Sequence, residues 1–134
     1  MREILFRGKR IDNGKWVYGN LIQRNIWGAV FPIIRAEDKG YGNFKEWEVI
    51  PETVGQYTGL DDKNGMKIFE GDVVRYLNSI ESGNGVVIFD ACAFLFNWID
   101  INETDSLLRH FQCSKELEVI CNIHDNPELM EEKK

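Results

Sequence analysis

At 134 residues, with 43% apolar and 12% aromatic side chains, the chain is long enough for one domain with its own core, and 12 Gly against 3 Pro suit tight turns better than disorder. A net charge of −6 argues against strong non-specific binding to nucleic acid. No apolar run approaches a membrane span or a secretory core, so the expectation is a cytoplasmic protein with no membrane partner.

The charge is uneven. Residues 1–35 hold seven Lys/Arg against Glu3 and Asp12, about +5, whereas residues 36–134 hold nine against twenty acids, about −11. Opposite ends that attract, within or between protomers, explain this more simply than a basic binding face does. Three cysteines with no C-x-x-C spacing suit reduced thiols in a cytoplasmic setting.

In chain order, the runs rich in Val, Ile, Phe, Tyr and Trp predict strands at Ile4–Lys9, Trp16–Gln23, Ile26–Ile34, Trp47–Ile50, Ile68–Phe69, Val73–Leu77, Val86–Phe89, Ala93–Ile99, Leu107–Phe111 and Leu117–Ile123. Asn13-Gly14 and Asn64-Gly65 predict tight type I′ hairpins, because both residue types adopt positive φ at little cost. Near the end, Asn126 as N-cap, Pro127 in the first turn and the acids that follow predict a short helical turn. The class is all-β, a sandwich or barrel. Its divisions are a basic β region at 1–35, a loop and candidate boundary at 36–46, a β region at 47–130 and a solvated tail at 131–134.

The stretch QYTGLDDKNGMKIFEGDVVRY (56–76) gathers Asp61, Asp62, Asn64, Glu70 and Asp72 around Gly65 as if to hold a cation. Set against a calcium loop with Gly65 at its sixth position, Leu60 and Gly71 fall where the first and last carboxylates belong, and the match fails. The alternative is architecture, with Gly59, Asn64, Gly65, Gly71 and Asp72 as structural residues. In that reading Asp72 caps backbone N–H groups at a strand entry.

The block TVGQYTGLDDKNGMKIFEGDVV (53–74), the opening MREILFRGKR and the closing EVICNIHDNPELM (118–130) together resemble the YopX family of small bacteriophage and prophage proteins. The resemblance implies an all-β chain with a small SH3-like barrel in its C-terminal part (47–130), self-association and a place in the host cytoplasm. It brings no reaction, cofactor or catalytic residue. The chain departs from the family pattern at Cys121, where Gly is usual, and at His124, where Tyr is usual.

Those departures create a candidate zinc set, His110, Cys113, Cys121 and His124. Residues three apart on a strand point to opposite faces, which opposes it, and no cofactor is expected. Cys92, between apolar neighbours, is expected to be buried. No nucleophile elbow surrounds Ser79, Ser82, Ser106 or Ser114, and no phosphate loop is present, so nothing supports an enzyme. Two binding readings remain, with an unrecognised enzyme as a third alternative behind them. Arg7, Lys9, Arg10 and Lys15, interleaved with Trp16, Tyr18, Trp27 and Phe31, are candidate contacts for single-stranded nucleic acid. Ranked ahead of this is a homo-oligomeric module that meets a host or phage protein, with the same aromatics at the interface.

Overall fold

The structure, a computed structural model, describes residues 1–37, 42–77, 82–90, 92–99, 106–107 and 116–128. The chain is mainly β, as its composition predicts, with antiparallel sheets and a 3₁₀ turn at Pro51–Thr53. It divides into two compact units, residues 1–57 and 58–134, the division falling inside a strand.

In the first unit β1 (Phe6–Lys9), β2 (Trp16–Ile26), β3 (Ala29–Glu37) and β4 (Phe44–Glu48) lie in the order β4-β3-β2-β1, and the first half of β5 (Gly55–Asp61) flanks β1. Beyond β4 the chain returns to β1, where Arg10 and Val49 form an antiparallel bridge and Ile50 N–H donates to Lys9 O at 2.8 Å. Ile34 and Val49 are fully buried there. Gly8 makes room for Val49, since a Cβ at that position would lie 2.9 Å from its side chain. Thr53 ties down the turn that follows: its hydroxyl donates to Ile50 O at 2.6 Å and accepts from Lys9 N–H at 2.9 Å.

Two expectations change here. Residues 36 and 37 extend β3, and residues 44 to 46 begin β4, its pairing partner through Glu37↔Phe44 and Arg35↔Glu46. The described ends of the expected 36–46 loop are therefore paired strand, because cross-strand pairs outweigh the polar composition, and residues 38–41 lie outside the described residues. Asn13-Gly14 is not a type I′ turn either. Only Gly14 has positive φ (70°), while Asn13 uses its Oδ1 to accept Lys15 N–H at 2.9 Å.

In the second unit the later half of β5 lies beside β6 (Lys67–Phe69). A five-stranded sheet runs β10-β9-β8-β7-β11, from β7 (Asp72–Leu77), β8 (Ser82–Asp90), β9 (Ala93–Trp98), β10 (Ser106–Leu107) and β11 (Leu117–Asn122). This sheet is open. Its edges β10 and β11 pair only with β9 and β7 among the described residues, so the SH3-like barrel implied by the resemblance is not closed.

Alternation puts Val74, Tyr76, Val87, Phe96, Trp98 and Leu117 on one face with Ile68, and Val73, Val86 and Ile99 in a second cluster. Full burial of an apolar side chain of this size is worth roughly 1.5–3 kcal/mol. Gly83 and Gly85 on β8 complete the first face by absence: a Cβ at Gly83 would meet the Trp98 ring at 2.8 Å, and one at Gly85 would enter the Phe96 ring. The rings use that space, with Phe96 and Trp98 edge-to-face at 4.7 Å.

Of the expected C-terminal turn, Glu128 has helical geometry, and the residues after it lie outside the described ones.

Candidate functional site

The acid-rich stretch at 56–72 is folded around its own backbone. Asp62 is 3% exposed, and its carboxylate accepts three main-chain N–H groups, those of Asn64 and Met66 at 2.8 Å on Oδ1 and that of Val119 at 3.0 Å on Oδ2. One side chain thereby shapes a turn and pins it to β11. Gly65 N–H donates to Asp62 O at 3.0 Å and Gly65 has φ 81°, whereas Asn64 is not at positive φ. The result is a type I turn followed by a left-handed residue between Asp62 and Met66, not the expected type I′. Asp72, 2% exposed, accepts Phe69 N–H at 2.8 Å. Gly71, at φ 89°, donates to Val87 O and accepts from Ile123 N–H at 2.8 and 2.9 Å. Gly59 takes φ 91° inside β5. Carboxylate oxygens turned onto main-chain donors are poorly placed to ligate a cation.

Among the described residues no three His, Cys, Asp or Glu side chains converge in a way that would hold a metal. His110 and Cys113 of the candidate zinc set lie outside the described residues. Cys121 packs beside Val73, Val86 and Ile99, and burial, helped by Glu128 and Asp72, pushes its thiol above the ordinary range. The turn that carries His124 is organised by Asn122, whose Oδ1 accepts His124 N–H at 3.0 Å and Asp125 N–H at 2.9 Å. Cys92 is exposed, contrary to expectation, because it occupies the β8–β9 turn beside the Asp90↔Ala93 pair at φ 64°.

The expected basic contacts are largely engaged within the first unit. Arg7 is 5% exposed with its guanidinium 4.5 Å from the Trp16 ring centroid, and Lys9 Nζ lies 5.5 Å from the same ring. Arg10 donates to Asp12 through Nε at 2.8 Å and stands 5.8 Å from the Trp47 ring. Of the four, Lys15 alone is classed as exposed. Farther along, Glu46 receives Arg35 and Arg24, Arg35 also covers Phe44 at 4.2 Å, and the two guanidinium groups hold the Glu46 carboxyl below its usual range. An open cleft of about 330 Å³ between the β1–β2 loop and β4 is lined by Arg10, Ile11, Asp12, Glu46, Trp47 and Glu48. Most of its charges already pair with one another or with Arg24 and Arg35.

The uncovered surface is the end of the β2–β3 hairpin. β1 pairs with β2 only as far as Gly19, and β4 pairs with β3 only from Ile33 onward, so among the described residues the ribbon beyond these pairings has no third strand. Every residue from Gln23 to Phe31 is exposed. Its turn is Trp27-Gly28, both at positive φ (55° and 82°) between the paired Ile26 and Ala29. This is the type I′ geometry that the sequence suggested elsewhere. Trp27 is 100% exposed, Val30 56%, Ile26 46% and Phe31 36%.

The family model of the YopX protein matches residues 5–131. The chain belongs to the YopX family. A crystal structure of protein EF1440 from Enterococcus faecalis is similar over 97% of this chain and 99% of that one, with a TM-score of 0.54 and 22% identity. At that identity the likeness shows the fold alone. A search of curated proteins finds no match.

Within this YopX chain, the sequence block most diagnostic of the family is therefore a self-satisfied frame. The arm offers unmet surface instead, and its only sequence signal was an apolar run interrupted by Trp-Gly. Asp62 was legible as a turn residue, but its reach to Val119 was not, because a contact across 57 positions leaves no local trace.

Proposed function

We propose that this YopX protein is a phage or prophage binding module that works in the host cytoplasm by protein–protein contact, self-association included, with the β2–β3 arm as its docking element. The observation that carries the reading is the arm itself: Ile26, Trp27, Val30 and Phe31 stand exposed on a ribbon that its own unit leaves uncovered. Exposed apolar clusters of this kind, rimmed by polar residues, mark interaction sites. The absence of charge from residues 25 to 34 suits a protein surface better than a phosphate backbone.

The test is capture of tagged protein from host lysate, divided into nuclease-treated and untreated halves and read by mass spectrometry. One protein retained after nuclease supports the module. Nucleic acid recovered with every protein lost after nuclease overturns it. A second reading, nucleic-acid binding, draws on the cation–aromatic pairs of Arg7, Lys9 and Trp16. It requires a salt-sensitive affinity that Lys9→Glu and Lys15→Glu abolish.

A further inference from the structure

We infer that the β2–β3 arm binds by strand addition: an extended segment of a different protein pairs with the free backbone edge of β2 at Leu21, Gln23 and Asn25. This rests on the reading of the arm as a protein-docking element, and it names the edge that docks and the form of its occupant.

The pairing pattern picks out that edge. A two-residue hairpin hydrogen-bonds the residues that flank its turn, here Ile26 and Ala29, and bonded pairs then alternate with unbonded ones along the ladder. Asn25, Gln23 and Leu21 on β2, with Val30, Pro32 and Ile34 on β3, therefore turn their main-chain groups away from the hairpin. The β3 side is nearly closed. Ile34 pairs with Trp47, and Pro32 has no N–H to give while its carbonyl accepts Val49 N–H at 3.1 Å, which leaves Val30. On the β2 side, β1 uses the same parity as far as Gly19, opposite Phe6, and among the described residues no strand continues beyond it.

The chemistry of such an edge decides what covers it. Leu21, Gln23 and Asn25 each present an N–H and a C=O, two positions apart, and the matching array is another extended backbone. The open stretch from Asn20 to Asn25 has about the length of an ordinary strand. This chain's own first residues are in register for it, Ile4 for Leu21 and Arg2 for Gln23, yet Met1–Ile4 are exposed and lie outside β1. The described strands are already seated in the chain's own sheets, so the added segment comes from another protein.

Side chains set the pattern of that segment. Ile22 and Ile26 flank Arg24 on one face, where Arg24 is met by Glu46 at 3.0 Å, and Gln23 and Asn25 lie on the other. The segment that fits is apolar at the alternate positions beside Ile22 and Ile26 and polar between them. Residues 25 to 34 carry no charge, so nothing there selects a strongly charged strand.

The experiment captures protein from nuclease-treated host lysate on the tagged full chain and on three variants, each checked as folded by circular dichroism. Gln23→Pro removes an outward N–H and spares the pairing with β3, as Pro32 opposite already does. Gln23→Ala keeps the N–H, and Trp27→Asn alters the apolar tip. The expected result is a protein other than this chain whose recovery falls at least about tenfold with Gln23→Pro and not with Gln23→Ala. In the complex with that protein, the N–H groups of Leu21, Gln23 and Asn25 should exchange with solvent at least about tenfold more slowly than in the free chain, a readout that needs no variant. Recovery indifferent to Gln23→Pro, unchanged exchange, or retention of this chain's own copies alone overturns the inference. If Trp27→Asn still abolishes that recovery, the arm remains the docking element and binds through its side chains instead. If neither variant lowers recovery, the inference and the reading of the arm fall together.

Discussion

Two hairpin turns of this chain solve the same backbone problem with opposite materials. The turn between Asp62 and Met66 is built from polar residues, and its most buried carboxylate is spent on three main-chain N–H groups. The turn between Ile26 and Ala29 is apolar, exposed and capped by Trp27 at positive φ. The polar turn resembles a site and behaves as a frame. The apolar turn resembles a piece of core and has no core to enter.

The comparison can be broken most forcefully at Asp62. Asp62→Ala strips three main-chain donors, partly buried, of their acceptor and should cost roughly 2–3 kcal/mol, a large share of the stability of a marginal domain. Asp61→Ala, at the exposed neighbour, should cost less than about 0.5 kcal/mol. Equal losses in urea unfolding would refute the framing role.

Next is Gly85→Ala, where a methyl would enter the Phe96 ring. Overpacking there should destabilise by roughly 1–3 kcal/mol. Gly65→Val should cost about 1–2 kcal/mol, through φ alone, because no atom lies within 4 Å of its Cβ. Gly65→Asn should recover most of that loss, and an Asn variant as weak as Val would point to a packing cause.

Trp27→Asn should leave stability unchanged or raise it by a few tenths of a kcal/mol, read as an unfolding midpoint. A marked loss would mean that the indole supports the fold and would erase the contrast between the turns.

The smallest effect is electrostatic. Arg35 and Arg24 hold the Glu46 carboxyl below its ordinary value of 4.5. A depressed value means that the pairing stabilises the fold above that ordinary value and is lost as pH falls through the folded one. Glu46→Gln should therefore show a slightly shallower loss of stability below about pH 4.5 than the wild type, and an identical acid limb would deny the pairing any role.

Most strands were legible because their apolar residues alternate or run together. The exceptions have physical reasons. β8 begins at Ser82, before its predicted start at Val86, because Gly83 and Gly85 look like strand breakers yet supply the space for Trp98 and Phe96. β5 was hidden by Thr58 and Gly59, whose role depends on Thr58 Oγ1 donating to Ile68 O at 2.8 Å. The arm's turn was hidden because Trp-Gly carries little local preference for it. Residues such as Asp62 announced that they mattered, whereas which neighbours they served depended on pairings far along the chain.

The most direct measurement is recovery of nuclease-resistant protein, co-expressed untagged copies included, on tagged and folded Trp27→Asn relative to tagged wild type. The account predicts recovery near background for the variant. Recovery equal to that of the wild type would contradict it and place the binding surface elsewhere on the chain.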